Sequence, residues 1–200
     1  MGNNPSLPSF AFGLAWVALL PACQNQDDII QAARFGDLEK LSDCIESGIS
    51  VDHADPVGET PLFHIIGAGS EKAFELLMAN GADIRLRDGQ GNTTLHKAVT
   101  FGRREFALQL IEWGLDINAT NKVGATALHY AVRSGNLGMV EFLVEKGAEV
   151  EVKNADDISP AQVAQAMSEQ EGLSGPMGGM ISKKQMNKIM SALTKPTINK

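Results

Sequence analysis

Three glycines frame this chain. Gly58, Gly91 and Gly124 stand 33 residues apart (91 − 58 = 33 and 124 − 91 = 33), and each opens the same phrase. Gly58-Glu-Thr-Pro-Leu-Phe-His-Ile-Ile is followed by Gly91-Asn-Thr-Thr-Leu-His-Lys-Ala-Val and by Gly124-Ala-Thr-Ala-Leu-His-Tyr-Ala-Val. One more step reaches Asp157-Ile-Ser-Pro-Ala-Gln-Val-Ala. A second phrase recurs in the other half of each unit: Leu76-Leu77-Met-Ala-Asn-Gly81-Ala-Asp-Ile, Leu110-Ile111-Glu-Trp-Gly114-Leu-Asp-Ile and Leu143-Val144-Glu-Lys-Gly147-Ala-Glu-Val. A unit this short cannot bury its apolar face alone. It must stack on copies of itself and share one continuous core.

Each recurring position has a physical use. Thr60, Thr93 and Thr126 stand where a hydroxyl can accept a helix-starting N–H. Pro61 and Pro160 follow just inside the helix, where a missing N–H costs nothing. Gly69, Gly102 and Gly135 end that helix by a left-handed turn. A second helix carries apolar residues at helical spacing: Phe74, Leu77 and Met78; Phe106, Leu110 and Ile111; Val140, Leu143 and Val144. Gly81, Gly114 and Gly147 stop it, and Ile84, Ile117 and Val150 lead into a turn toward the next unit.

The period, the TPLHxA-like start and the LLxxGADV-like end resemble the ankyrin repeat, over about residues 27–170. The resemblance implies an all-α solenoid of helix-turn-helix units with β-turn fingers. We count five units, three full and two worn. The first keeps Ala32-Ala33-Arg34-Phe35-Gly36 and Ile45-Glu46-Ser47-Gly48 but lacks the opening phrase. The last keeps Ser159-Pro160-Ala161, and its second helix is expected to be lost at Glu171-Gly172. The expected domains are 1–22 (signal), 23–171 (repeats) and 172–200 (Gly/Pro/Met linker and basic tail). Ser182 can cap a short helix through about Leu193. That helix has three possible fates: packing on the last repeat, staying free, or meeting a partner or membrane.

The resemblance also assigns the histidines. His96 and His129 hold the motif position, where an imidazole bridges backbone groups of neighbouring fingers. His64 is displaced by one residue, with Phe63 at the motif site, and His53 falls near a finger tip and is expected to be solvated. No catalytic constellation stands out: there is no GxSxG, HExxH, phosphate loop or CxxC. No cofactor and no metal are expected. Met177, Met180, Met186 and Met190 are read as apolar filler in preference to copper ligands.

The N-terminus points outward from the cytoplasm. Phe10 to Leu20 is an apolar run of 11 residues, too short to span a bilayer and suited to a signal peptide. Leu20-Pro21-Ala22-Cys23 follows and looks like a lipobox, which would lipidate Cys23, although no Lys or Arg precedes the run. Gln24 after that cysteine would favour the outer membrane. An ordinary cleaved signal, N-myristoylation at Met1-Gly2-Asn3-Asn4-Pro5-Ser6 and a plain apolar segment are the competing readings. Cys44, the other cysteine, is expected to be a small buried apolar side chain.

Charge bounds the partners. The net charge of −7 argues against nucleic acid. From Gly172 onward there are five lysines and no acid, leaving 12 bases against 24 acids in the rest. The repeat frame places the partner-binding positions on the finger tips and first helices: Pro56, Val57, Glu59 and Ala68; Arg87, Gln90, Asn92, Thr100 and Phe101; Lys122, Val123, Arg133 and Ser134; Lys153 and Asp156. Trp113, before Gly114, joins them as a partly exposed aromatic. Phe101 is the expected anchor, since aromatic and Arg side chains dominate interfaces. The function implied is non-enzymatic binding of another protein by a monomer. With the N-terminus, the expected partner is an enzyme of the bacterial envelope, which this chain would occlude as an inhibitor or immunity protein. The alternative is a periplasmic scaffold supporting an oxidative-stress or other envelope enzyme. Membrane contact is expected only through a lipid at Cys23.

Overall fold

The computed structural model of the protein describes Cys23, residues 25–169 and residues 182–194. The expected cleavage motif before Cys23, Met177 and Met180 lie outside the described residues. Ten helices are described, and they run in pairs: α1 (Asp27–Phe35) with α2 (Leu38–Glu46), α3 (Pro61–Ala68) with α4 (Glu71–Ala79), α5 (Thr94–Thr100) with α6 (Arg104–Glu112), α7 (Ala127–Arg133) with α8 (Leu137–Glu145), and α9 (Pro160–Glu169) with α10 (Lys183–Leu193). The molecule is an all-α solenoid. No described helix is long and apolar enough to cross a membrane.

The first helices stack on one another, α1 on α3, α3 on α5, α5 on α7 and α7 on α9. Their buried faces come from the repeat phrase: Leu62, Ile65 and Ile66; Leu95, Ala98 and Val99; Leu128, Ala131 and Val132. Burying each leucine, isoleucine or valine among them is worth about 1.5–3 kcal/mol. The second helices form the other layer. Phe74 of α4 stacks on Phe106 of α6 at 4.7 Å between ring centres, and the Arg104 guanidinium lies 4.8 Å from the ring centre of Phe142 in α8.

The fingers are joined by one backbone hydrogen bond per step. Gly89 N–H donates to the Val57 carbonyl (2.8 Å), Lys122 N–H to Gln90 (3.0 Å) and Ala155 N–H to Val123 (2.9 Å). This contact explains the framing glycines. A Cβ on Gly58 would stand 2.5 Å from the Gly89 nitrogen, and its φ of +83° lies in the left-handed region. Asp157 holds the same repeat position with φ 61°. It is exposed, and among the described residues no further finger presses on it.

His96 and His129 tie the fingers to the helices. Thr93 N–H donates to His96 Nδ1 (3.2 Å), which leaves Nε2–H to donate to the Ala125 carbonyl at 3.0 Å. His129 repeats the arrangement with Thr126 (3.1 Å) and the Ile158 carbonyl (3.0 Å). Burial pushes both imidazoles below their ordinary pKa, outweighing the carbonyl each one meets. Thr60 departs from the expected capping. With Phe63 in the histidine's place, its hydroxyl is buried without a partner.

Three further expectations are corrected. The second helix of the last unit is not lost; α10 supplies it after an insertion. It packs on α8 and α9 through Met186, Ile189, Ala192 and Leu193, the first of the three fates expected for the tail helix. Cys23 and Cys44 form a disulfide, with Cα atoms 5.0 Å apart, within the usual range for that bond. A sulfur in a disulfide cannot carry a thioether-linked lipid, so this bridge and the expected lipidation of Cys23 exclude each other. Cys44 is buried as expected, but as half of that bridge. His53 is half-buried with Nε2 3.3 Å from Asp27, not simply solvated.

Candidate partner-binding groove

The fingers and the first helices enclose a groove. One cavity in it, about 250 Å³, is lined by Glu59, Phe63, Asp88, Gln90, Asn92, His96, Lys97, Thr100, Phe101, Tyr130 and Arg133. Of the expected positions, Glu59, Gln90, Asn92, Thr100, Phe101 and Arg133 therefore meet in one place. Phe101 is 39% exposed at the end of α5, with Lys97 Nζ 5.3 Å from its ring centre. Arg133 is exposed and lies 4.9 Å from the ring centre of Tyr130.

The floor is a polar network. Asp88 accepts from the Gln90 and Asn92 backbone, both at 2.8 Å, and from Asn92 Nδ2 at 2.8 Å. Asn121 Nδ2 donates to Asn92 Oδ1 (2.8 Å) and to the Tyr130 hydroxyl (3.0 Å). The same finger cap recurs at Asp55, Asn121 and Asn154, each oxygen accepting N–H groups two and four residues on.

Other expected positions lie away from the cavity. Pro56, Val57, Val123 and Asp156 are exposed on the fingers, and Ala68 is exposed at the end of α3. Arg87 is a strap between fingers, its Nη1 donating to the carbonyls of Gly91 (2.9 Å) and Thr120 (2.7 Å). Lys122 Nζ is similarly spent on the Gly89 carbonyl at 2.7 Å. Lys153 pairs with Asp157 at 2.8 Å. Ser134 caps its own helix through the Ala131 carbonyl. Trp113 does not join the groove. Its ring stacks on Phe74 of the second-helix layer, 5.7 Å between centres, although 46% of it stays exposed.

Sequence reading missed Phe35, which holds Phe101's repeat position two periods earlier (101 − 35 = 66) and is 79% exposed. Counting the period backward into the worn first unit would have found it. It also missed the charged wall beside the cavity. His64 Nε2 lies 3.0 Å from Asp55 Oδ2, and Nδ1 lies 3.6 Å from Glu59 Oε2. Arg34 stands 3.8 Å from Asp55, and Lys97 pairs with Glu59. Burial holds the His64 imidazole below its ordinary pKa, against the pull of Asp55 and Glu59. Burial pulls Asp55 upward, but the N–H groups of Glu59 and Val57 and the imidazole outweigh it and hold the carboxyl low.

A family model described as ankyrin repeats, in three copies, matches residues 29–121. A single ankyrin-repeat model matches residues 123–155. No curated protein matches the chain.

Proposed function

The chain belongs to the ankyrin-repeat family and is a protein–protein interaction module, and on that premise we propose that it works outside the cytoplasm, in a bacterial envelope, as an inhibitor or immunity protein that occludes a partner enzyme. The observation that carries the binding site is the contrast at the groove. Arg87, Lys122 and Lys153 spend their charged ends on carbonyls or a carboxylate of the chain, whereas Phe101 and Arg133, which rests on the Tyr130 ring, line one cavity. An aromatic and an arginine beside a cavity are the usual anchors of an interface. Steric occlusion needs fit alone, with no chemistry from the occluding chain. The expected scale is the standard one, roughly 800 Å² per side.

The Cys23–Cys44 disulfide supports export, because such bonds persist in oxidising compartments. It also favours a cleaved signal over a lipid at Cys23, since one sulfur serves one use. Mass spectrometry of the protein from its native envelope distinguishes them: the proposal expects an intact Cys23–Cys44 crosslinked peptide and no acyl mass. For the groove, envelope extract is passed over wild type, Phe101→Ala/Arg133→Glu and Trp113→Ala. The groove variant is expected to lose the partner that wild type and Trp113→Ala retain. Equal recovery by all three proteins would place the interface elsewhere.

A further inference from the structure

We propose that His64 and Glu59 bind one divalent cation of the zinc, cobalt or nickel class on the groove wall, with Asp55 orienting the imidazole. A neutral imidazole carries one N–H, yet both ring nitrogens of His64 face carboxylate oxygens. The Asp55 contact at 3.0 Å has hydrogen-bond length, whereas the Glu59 contact at 3.6 Å does not. In the neutral ring the proton then sits on Nε2, which leaves Nδ1 as an electron-pair donor 3.6 Å from Glu59 Oε2.

Two electron-pair donors this close repel each other unless a proton or a metal cation lies between them. Donors about 2.0–2.1 Å from a tetrahedral zinc stand about 3.4 Å apart, and the observed separation is 3.6 Å. The three nearest donor atoms of Asp55, Glu59 and His64 lie within 4.8 Å of one another. A carboxylate on the far nitrogen is the usual partner of a metal-binding histidine, since it fixes both tautomer and ring orientation. Asp55 is in turn held by two backbone N–H groups, from Val57 at 3.0 Å and Glu59 at 2.9 Å. The protein's own cations occupy other places: Lys97 is on Glu59 Oε1 and Arg34 is near Asp55 Oδ2. They weaken the site by charge without filling it. An imidazole and a carboxylate suit a borderline cation better than calcium or magnesium, which prefer oxygen alone. The remaining coordination positions are left to water or to a partner side chain.

The test is calorimetric titration of the full, tag-free, chelator-treated protein with zinc sulfate near neutral pH, with cobalt chloride absorbance reporting coordination. One zinc per chain at micromolar affinity is expected. His64→Gln and Glu59→Gln should abolish it, and Asp55→Asn should weaken it about tenfold. Lys97→Met should tighten it by freeing Glu59, an effect that a merely structural role for these residues would not produce. His53→Gln is the control and should leave binding unchanged. No heat up to millimolar zinc, unchanged binding in His64→Gln with native circular dichroism, or loss in His53→Gln would each overturn the proposal. So would a nitrogen NMR signature of a doubly protonated His64 near neutral pH.

Discussion

At Phe63 one exchange separates α3 from α5 and α7. Its ring fills the place of His96 and His129 and is fully buried, gaining apolar burial of about 1.5–3 kcal/mol. The same exchange leaves the Thr60 hydroxyl without a partner, a cost of about 1–3 kcal/mol. Removing that hydroxyl should therefore be free. Thr60→Val is expected to keep or raise the urea midpoint, whereas Thr93→Val, which breaks a working cap, should cost about 0.5–2 kcal/mol. Equal losses in both variants would mean that the Thr60 hydroxyl has a partner. The histidine positions were legible in sequence because the motif fixes both the residue and its carbonyl. The roles of Arg87 and Lys122 were not. A sequence shows their charge, but their long side chains decide between solvent and a carbonyl on the neighbouring finger only once the stack exists.

Among the elements, the helices and fingers followed from period and glycine placement, and the two ends did not. Helix α10 was legible from Ser182 and its apolar spacing, but its place as partner of α9 was not, because residues 170–182 separate the two, far more than the Gly69-Ser70 link between α3 and α4. The Cys23–Cys44 bond was hidden because its Cα separation depends on how the chain enters α1. That bond closes a loop over a sequence separation of 21, which corresponds to about 3 kcal/mol by chain entropy. Cys44→Ala should lower stability by about 2–4 kcal/mol. Because each unit contacts only its neighbours, amide exchange should quicken first in α1 and α2 while α7 and α8 stay protected. Uniform quickening along the chain would contradict that local picture.

For the whole molecule, acid should act through the buried imidazoles that clip finger to finger. His96 and His129 have depressed pKa values when folded. The unfolded chain takes up these protons first, from about pH 6.5. The stability they contribute is complete above that pH and is lost as pH falls toward the folded values. Urea midpoints should be flat from about pH 8 to 7 and decline below about 6.5; an unchanged midpoint at pH 5.5 would mean that the folded protein accepts both protons.

The disulfide also decides how the solenoid bears tension. A pull on the chain at Cys23 crosses the sulfur bridge straight into Cys44 of α2, so α1, lying between the bridged residues, is out of the load path. An unfolding machine or membrane tether acting at that end cannot peel the array one helix at a time. It must first drag the whole leading unit off α3 and α4.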